Sequence, residues 1–128
     1  MNKDRFSWRA RGRSFRYAWS GIRALVAGEH NAWIHCVVAV CVIAAGLWLG
    51  LEPWEWCTVA LCIGGVLMAE GFNSAIEALA DKTCREQDPL IKRAKDLAAG
   101  AVLLFVLGAV AAGLIIFLPK LLCLMSNE

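Results

Sequence analysis

The sequence predicts an all-α integral membrane protein: an N-terminal amphipathic helix on the membrane surface, then three transmembrane helices, in a single domain of 128 residues. Three observations carry this. Cys36 to Leu51 holds no charge in 16 residues, and Leu97 to Pro119 holds none in 23. Hydrophobic residues make up 59% of the chain, against about 45–50% in soluble domains. Seven of the 13 Lys and Arg residues fall in the first 30 positions, beside two acids. A chain this small cannot bury two such apolar stretches in a water-soluble core. A soluble enzyme, a disordered chain and a secreted disulfide scaffold are thereby excluded.

The cysteines agree. Cys36, Cys41, Cys57, Cys62 and Cys123 sit in or beside apolar segments, and Cys84 sits in a polar one. No Cys-x-x-Cys pair or Cys/His spacing suggests zinc, so they read as small apolar residues. No signal peptide is expected, because the first 30 residues lack an apolar core.

The elements follow in order. From Ser14, a plausible N-cap, Phe15, Ala18, Trp19, Ile22, Leu25 and Val26 recur at helical spacing. Arg13, Arg16 and Arg23 lie on or near the other side, which suits a helix lying in an anionic membrane surface over 14–30. The first span covers 32–51. Twenty residues at about 1.5 Å each cross roughly 30 Å of hydrocarbon. Glu52-Pro53-Trp54-Glu55-Trp56 breaks the run, and Pro53 is placed to start the second helix, 54–82. Trp48, Trp54 and Trp56 lie where an interfacial aromatic belt would. Asp88-Pro89 marks a loop, and the third helix covers 90–118, with its polar first turns outside the hydrocarbon and Pro119 near its end. Lys82 to Lys95 holds five basic residues, the Glu52–Glu55 loop none and the C-terminus only Lys120. The positive-inside rule therefore puts the N-terminus and the second loop in the cytoplasm and the C-terminus outside, in a bacterial cytoplasmic membrane.

The informative residues are on the second span. With Glu70 at zero and 100° per residue, Asn73 falls at about −60°, Ser74 at +40°, Glu77 at −20° and Asp81 at +20°. Phe72, Ile76 and Leu79 take the opposite face. Glu70 lies about 16 Å along the axis from Asp81, so with Asp81 at the interface Glu70 is inside the hydrocarbon. A carboxylate there is costly and is a functional candidate by default. Asn73 and Ser74 also suit hydrogen bonding between packed helices. Glu77 and Asp81 taken alone also suit plain interfacial acids, and His35 suits capping or packing.

Glu29, Glu70 and Glu77, with Lys95 and Asp96, can converge at the cytoplasmic interface. Acids bind Mg²⁺, which shares its shell with substrate phosphates. A lysine neutralises phosphate charge, and a remaining carboxylate can take a proton from an attacking hydroxyl. These parts suit phosphoryl transfer, although the nucleotide-binding loops of soluble kinases and P-loop enzymes are absent.

Here the sequence resembles a family. Glu70-Gly-Phe-Asn-Ser-Ala-Ile-Glu-Ala-Leu-Ala-Asp81 matches every fixed position of Glu-x-x-Asn-Ser-Ala-Ile-Glu-x-x-x-Asp, the signature of the small prokaryotic diacylglycerol kinases. Arg93-Ala-Lys-Asp96 and Tyr17-x-x-x-Gly21-x-Arg23, with Glu29 following, are similar to two further blocks. The likeness runs from about Ser14 to Leu118.

The resemblance implies a homotrimer that transfers the γ-phosphate of ATP to the hydroxyl of diacylglycerol, giving phosphatidate. Glu70 would be the catalytic base with Asn73 supporting it, and Glu29 and Glu77 would hold Mg²⁺. Tyr17, Glu29, Glu77, Lys95 and Asp96 would meet ATP. Glu86, Gln87 and Asp88 would also do so, standing where some members carry an aromatic residue and a histidine. Trp19 and Arg23 would lie with Glu70 beside the lipid. Glu29-His-Asn-Ala-Trp-Ile-His35 resembles the undecaprenol kinase branch, so undecaprenol is the alternative acceptor. Nucleic acid is not an expected partner. A different class of reading, a small oligomeric transporter with Glu70 as its ion site, gives no reason for Lys95, Asp96 or Glu29.

Overall fold

The computed structural model describes residues 7–83 and 88–126. They form four helices: α1 (Trp8–Gly28), α2 (His30–Leu49), α3 (Pro53–Thr83) and α4 (Pro89–Ser126). The last three are long and apolar enough to cross a membrane. α3 packs mainly on α4 and less on α2, while α2 and α4 barely meet. Few side chains are buried. A small cluster of Leu51, Val59 and Ile116 forms the centre at one end, and most large apolar side chains of the three long helices face outward. Surface of that kind needs lipid or another protein chain against it.

Local chemistry explains the boundaries. α2 ends at Gly50, whose backbone is left-handed (φ 65°). Glycine adopts that conformation freely, and the Leu51 N–H closes the turn onto the Gly46 carbonyl at 3.2 Å. Pro53 opens α3, where its missing N–H is no loss. Glu55 reaches back, its Oε2 accepting the Glu52 N–H at 2.6 Å, one half of a capping box. A side chain at Gly65 would run into the Phe105 ring, so this glycine lets α4 lie close on α3.

Two boundaries differ from the sequence expectation. α1 starts at Trp8 rather than Ser14, with the Ser7 hydroxyl accepting the Ala10 N–H at 3.4 Å. Ser14 lies inside the helix and its hydroxyl donates to the Ala10 carbonyl at 3.1 Å. Serine caps or bonds back to the preceding turn according to where the helix begins, and the Ala and Arg residues before it favour helix. α4 continues through Pro119 to Ser126, because a long apolar helix can absorb one missing backbone bond in a membrane.

Candidate functional site

The site is built on the last four turns of α3. Glu70 and Asn73 are buried, 3% and 7% exposed, Glu77 is half-buried and Asp81 is open to solvent. Burial thus falls off along the polar stripe as the depth argument requires. Glu70 makes no ion pair or side-chain hydrogen bond among the described residues. Asn73 turns to Glu77 rather than to Glu70: its Nδ2 donates to Glu77 Oε1 at 3.3 Å. That leaves Asn73 Oδ1 buried with no hydrogen-bond partner among the described residues, an acceptor open to a donor.

α4 supplies the basic side. Lys95 Nζ meets Asp81 Oδ1 at 2.8 Å, tying the two helices together beside the stripe. In these polar first turns, before the uncharged stretch, that hydrogen bond raises the Lys95 pKa above the ordinary lysine value. Asp96 pairs with Lys92 at 3.2 Å one turn away. Asp88 caps α4, its Oδ1 accepting the N–H groups of Leu90 and Ile91 at 2.7 and 3.4 Å. Glu86 and Gln87, and Cys84 before them, lie outside the described residues.

α1 reaches the site through Leu25, whose Cδ2 lies 3.5 Å from the position a Cβ on Gly71 would take. Tyr17, Trp19 and Arg23 are exposed on α1. Glu29 is the single extended residue between α1 and α2. Its N–H donates to the Leu25 carbonyl and its carbonyl accepts the Trp33 N–H, both at 3.1 Å. Its carboxylate is exposed and makes no cap. No three His, Cys, Asp or Glu side chains come together as a metal site among the described residues. Mg²⁺ that completes its shell with phosphate and water oxygens needs only one or two carboxylates, so Glu77 on the stripe suits it without a third acid beside it.

A family model described as prokaryotic diacylglycerol kinase matches residues 16–117, which include α2, α3 and nearly all of the polar stripe's partners. The chain belongs to the prokaryotic diacylglycerol kinase family. This family member is 40% identical over 109 residues to an undecaprenol kinase of Bacillus subtilis, covering 85% of this chain and 89% of the relative. It is 42% identical over 113 residues to a diacylglycerol kinase of Synechocystis sp., covering 88% of this chain and 65% of that relative. A diacylglycerol kinase of Escherichia coli is 31% identical over 94 residues, 73% of this chain and 77% of the relative.

Two contacts of this kinase-family chain were not foreseen. Asp81 pairs with Lys95 across the turn, and Glu55 with Lys120 at the other end of α3, at 3.0 Å. The second had a signal in the sequence. Lys120 is the one basic residue after Lys95, and Glu52 and Glu55 are the acids between the first two spans.

Proposed function

We propose that this chain is an ATP-dependent membrane lipid kinase whose general base is Glu70. The observation that carries the reading is a buried carboxylate without a partner, placed in line with Asn73 and Glu77 in the family's matched region. Glu70 takes the proton of a lipid hydroxyl as that oxygen bonds to the γ-phosphorus of ATP. The bond from γ-phosphorus to the bridging oxygen breaks, and ADP leaves. Glu29 and Glu77 would hold Mg²⁺, which neutralises phosphate charge when bound. Lys95 and Asp96 meet the nucleotide from α4, and Tyr17 meets it from α1. Asp88 keeps its capping role at the same level. Trp19 and Arg23 hold α1 in the membrane surface beside the lipid. The chain works as a homotrimer with the N-terminus and the α3–α4 turn in the cytoplasm and the C-terminus outside. Outward-facing apolar side chains and the unfilled Asn73 acceptor support assembly.

Diacylglycerol is the first acceptor, giving phosphatidate. A second reading, undecaprenol, is favoured by the Glu29–His35 segment and by a relative of that name that this chain matches over 89% of its length. The test is radiolabelled phosphate transfer from ATP by purified protein in mixed micelles, with each lipid offered in turn. Phosphorylation of one or both establishes the kinase, and the ratio of rates names the acceptor. No transfer to either lipid in the presence of Mg²⁺ would sink the reading.

A further inference from the structure

From Trp8 to Ala24 every side chain of α1 is exposed, and Leu25 is the one residue of the helix that is not. Trp8 and Phe15 are 80% and 78% exposed. A helix of this length is marginal by itself in water, and Gly12 and Gly21 weaken it further. It needs a surface to lie on.

The two flanks of α1 differ in what they offer. With Trp8 at zero and 100° per residue, Phe15, Trp19, Ile22 and Val26 fall at about −20°, +20°, −40° and 0°. Arg9, Arg13, Arg16 and Arg23 fall at about +100°, +140°, +80° and +60°, a row beside that stripe. Leu25 falls at about −100° and faces Gly71 of α3, so the row lies on the flank away from the bundle. No acid stands between Trp8 and Gly28, and none of the four arginines is in an ion pair among the described residues. Arg9 also stands in the first turn, at the positive end of the helix dipole, where a cation is unfavourable. An external anion relieves both. Arg9 and Arg13 precede the region that the family model matches.

The tether chooses the anion. α1 is joined through the single residue Glu29 to α2, a helix long and apolar enough to cross a membrane. α1 therefore starts from the edge of a bilayer, where an aromatic stripe bordered by arginines suits the headgroup layer. Its other end meets the site. The Glu29 N–H donates to the Leu25 carbonyl at 3.1 Å, and Leu25 lies against Gly71, the neighbour of Glu70. The lie of α1 thus sets the position of Glu29.

We propose that Arg9, Arg13 and Arg16 dock α1 on the phosphates of anionic lipids, and that this docking holds Glu29 at the site, so that the charge of the membrane regulates turnover. The docking stands on the helix alone, and the regulation rests on the kinase reading.

The full-length protein is placed in nanodiscs of dioleoylphosphatidylcholine, with or without dioleoylphosphatidylglycerol, and hydrogen exchange is followed over Trp8–Ala24. Exchange there should be about 100-fold slower on the anionic surface, about fivefold for each of three arginines, and high salt should reverse the effect. Arg9→Gln/Arg13→Gln/Arg16→Gln should abolish the difference. Arg9→Lys/Arg13→Lys/Arg16→Lys should keep it, which separates lost charge from a damaged helix. With acceptor lipid present, kcat at saturating MgATP should rise with the anionic lipid in the wild type and stay flat in the glutamine variant. Equal exchange in both nanodiscs overturns the proposal and leaves the aromatic stripe or a neighbouring copy to cover the helix. So does inorganic phosphate that slows exchange over phosphatidylcholine as much as the anionic lipid does. Slowed exchange with an unchanged kcat overturns the regulation while the docking and the kinase reading stand. If the wild type phosphorylates no lipid in either nanodisc, the kinase reading and the regulation fall, and the exchange still decides the docking.

Discussion

Glu55 and Glu70 lie on one helix about 22 Å apart, and both are buried, 6% and 3% exposed. Their surroundings are opposite. Glu55 accepts the Glu52 N–H at 2.6 Å and pairs with Lys120 at 3.0 Å, so each of its demands is met by the fold. Glu70 has no such partner among the described residues, and its neighbour Asn73 keeps an acceptor unfilled. A buried carboxylate without a partner is expensive. At the Glu55 end the expense is met by a lysine and a capping bond, and the acid serves to join α3 to α4. At the Glu70 end it is left open, and the acid is available to a ligand. Burial is alike for the two acids, and the state of their hydrogen bonds is what separates them.

The comparison can be broken by substitution at each end. The largest effect is expected at Glu77→Gln, which should abolish turnover and its dependence on Mg²⁺ while the oligomer survives. Normal activity at ordinary Mg²⁺ would remove Glu77 from the site. Next is Glu70→Gln, which keeps the shape but cannot take the proton. Turnover should fall about 10²–10⁴-fold, the usual contribution of a general base, with ATP affinity nearly unchanged. Collapse of ATP binding would place Glu70 with the metal or the fold instead.

At the other end the expected loss is of stability. Lys120→Met leaves Glu55 without its cation in a half-dry setting and should lower the thermal midpoint in detergent. The double variant Glu55→Gln/Lys120→Met should recover part of it, because removing both charges leaves none unpaired. KM values for ATP and lipid should stay as they are. A loss of activity at unchanged stability would show that the two ends are coupled in function.

The smallest effect belongs to Asp81→Asn. Its bond to Lys95 is exposed, and exposed ion pairs contribute little. The sign with pH is fixed by the raised lysine pKa. The stabilisation is fully present below the ordinary lysine value and is lost as pH rises through the raised one. Thermal midpoints of wild type and Asp81→Asn should therefore differ slightly at neutral pH and converge in strong alkali. A large difference at neutral pH would mean that this pair joins α3 to α4 more strongly than its exposure allows.

Much of the molecule was legible before any fold was known. The three long helices, the break at Glu52–Trp56, and the stripe from Glu70 to Asp81 depend on properties local to the chain: apolar length against membrane thickness, the 100° step of a helix, proline at a first turn. The start of α1 was less so, since Ser7 and Ser14 are both competent caps and the intervening residues decide between them. The helix passing Pro119 was hidden for a similar reason, because proline marks an end in water more often than in lipid. Tertiary structure alone decided which polar groups are satisfied. Asn73 has Glu70 and Glu77 within one turn on either side, and only the packed helix selects Glu77. Glu55 meets Lys120, and Lys95 meets Asp81, across contacts between α3 and α4. Composition and periodicity place a carboxylate at a depth and on a face. Whether it then finds a partner depends on how two helices distant in sequence lie against each other.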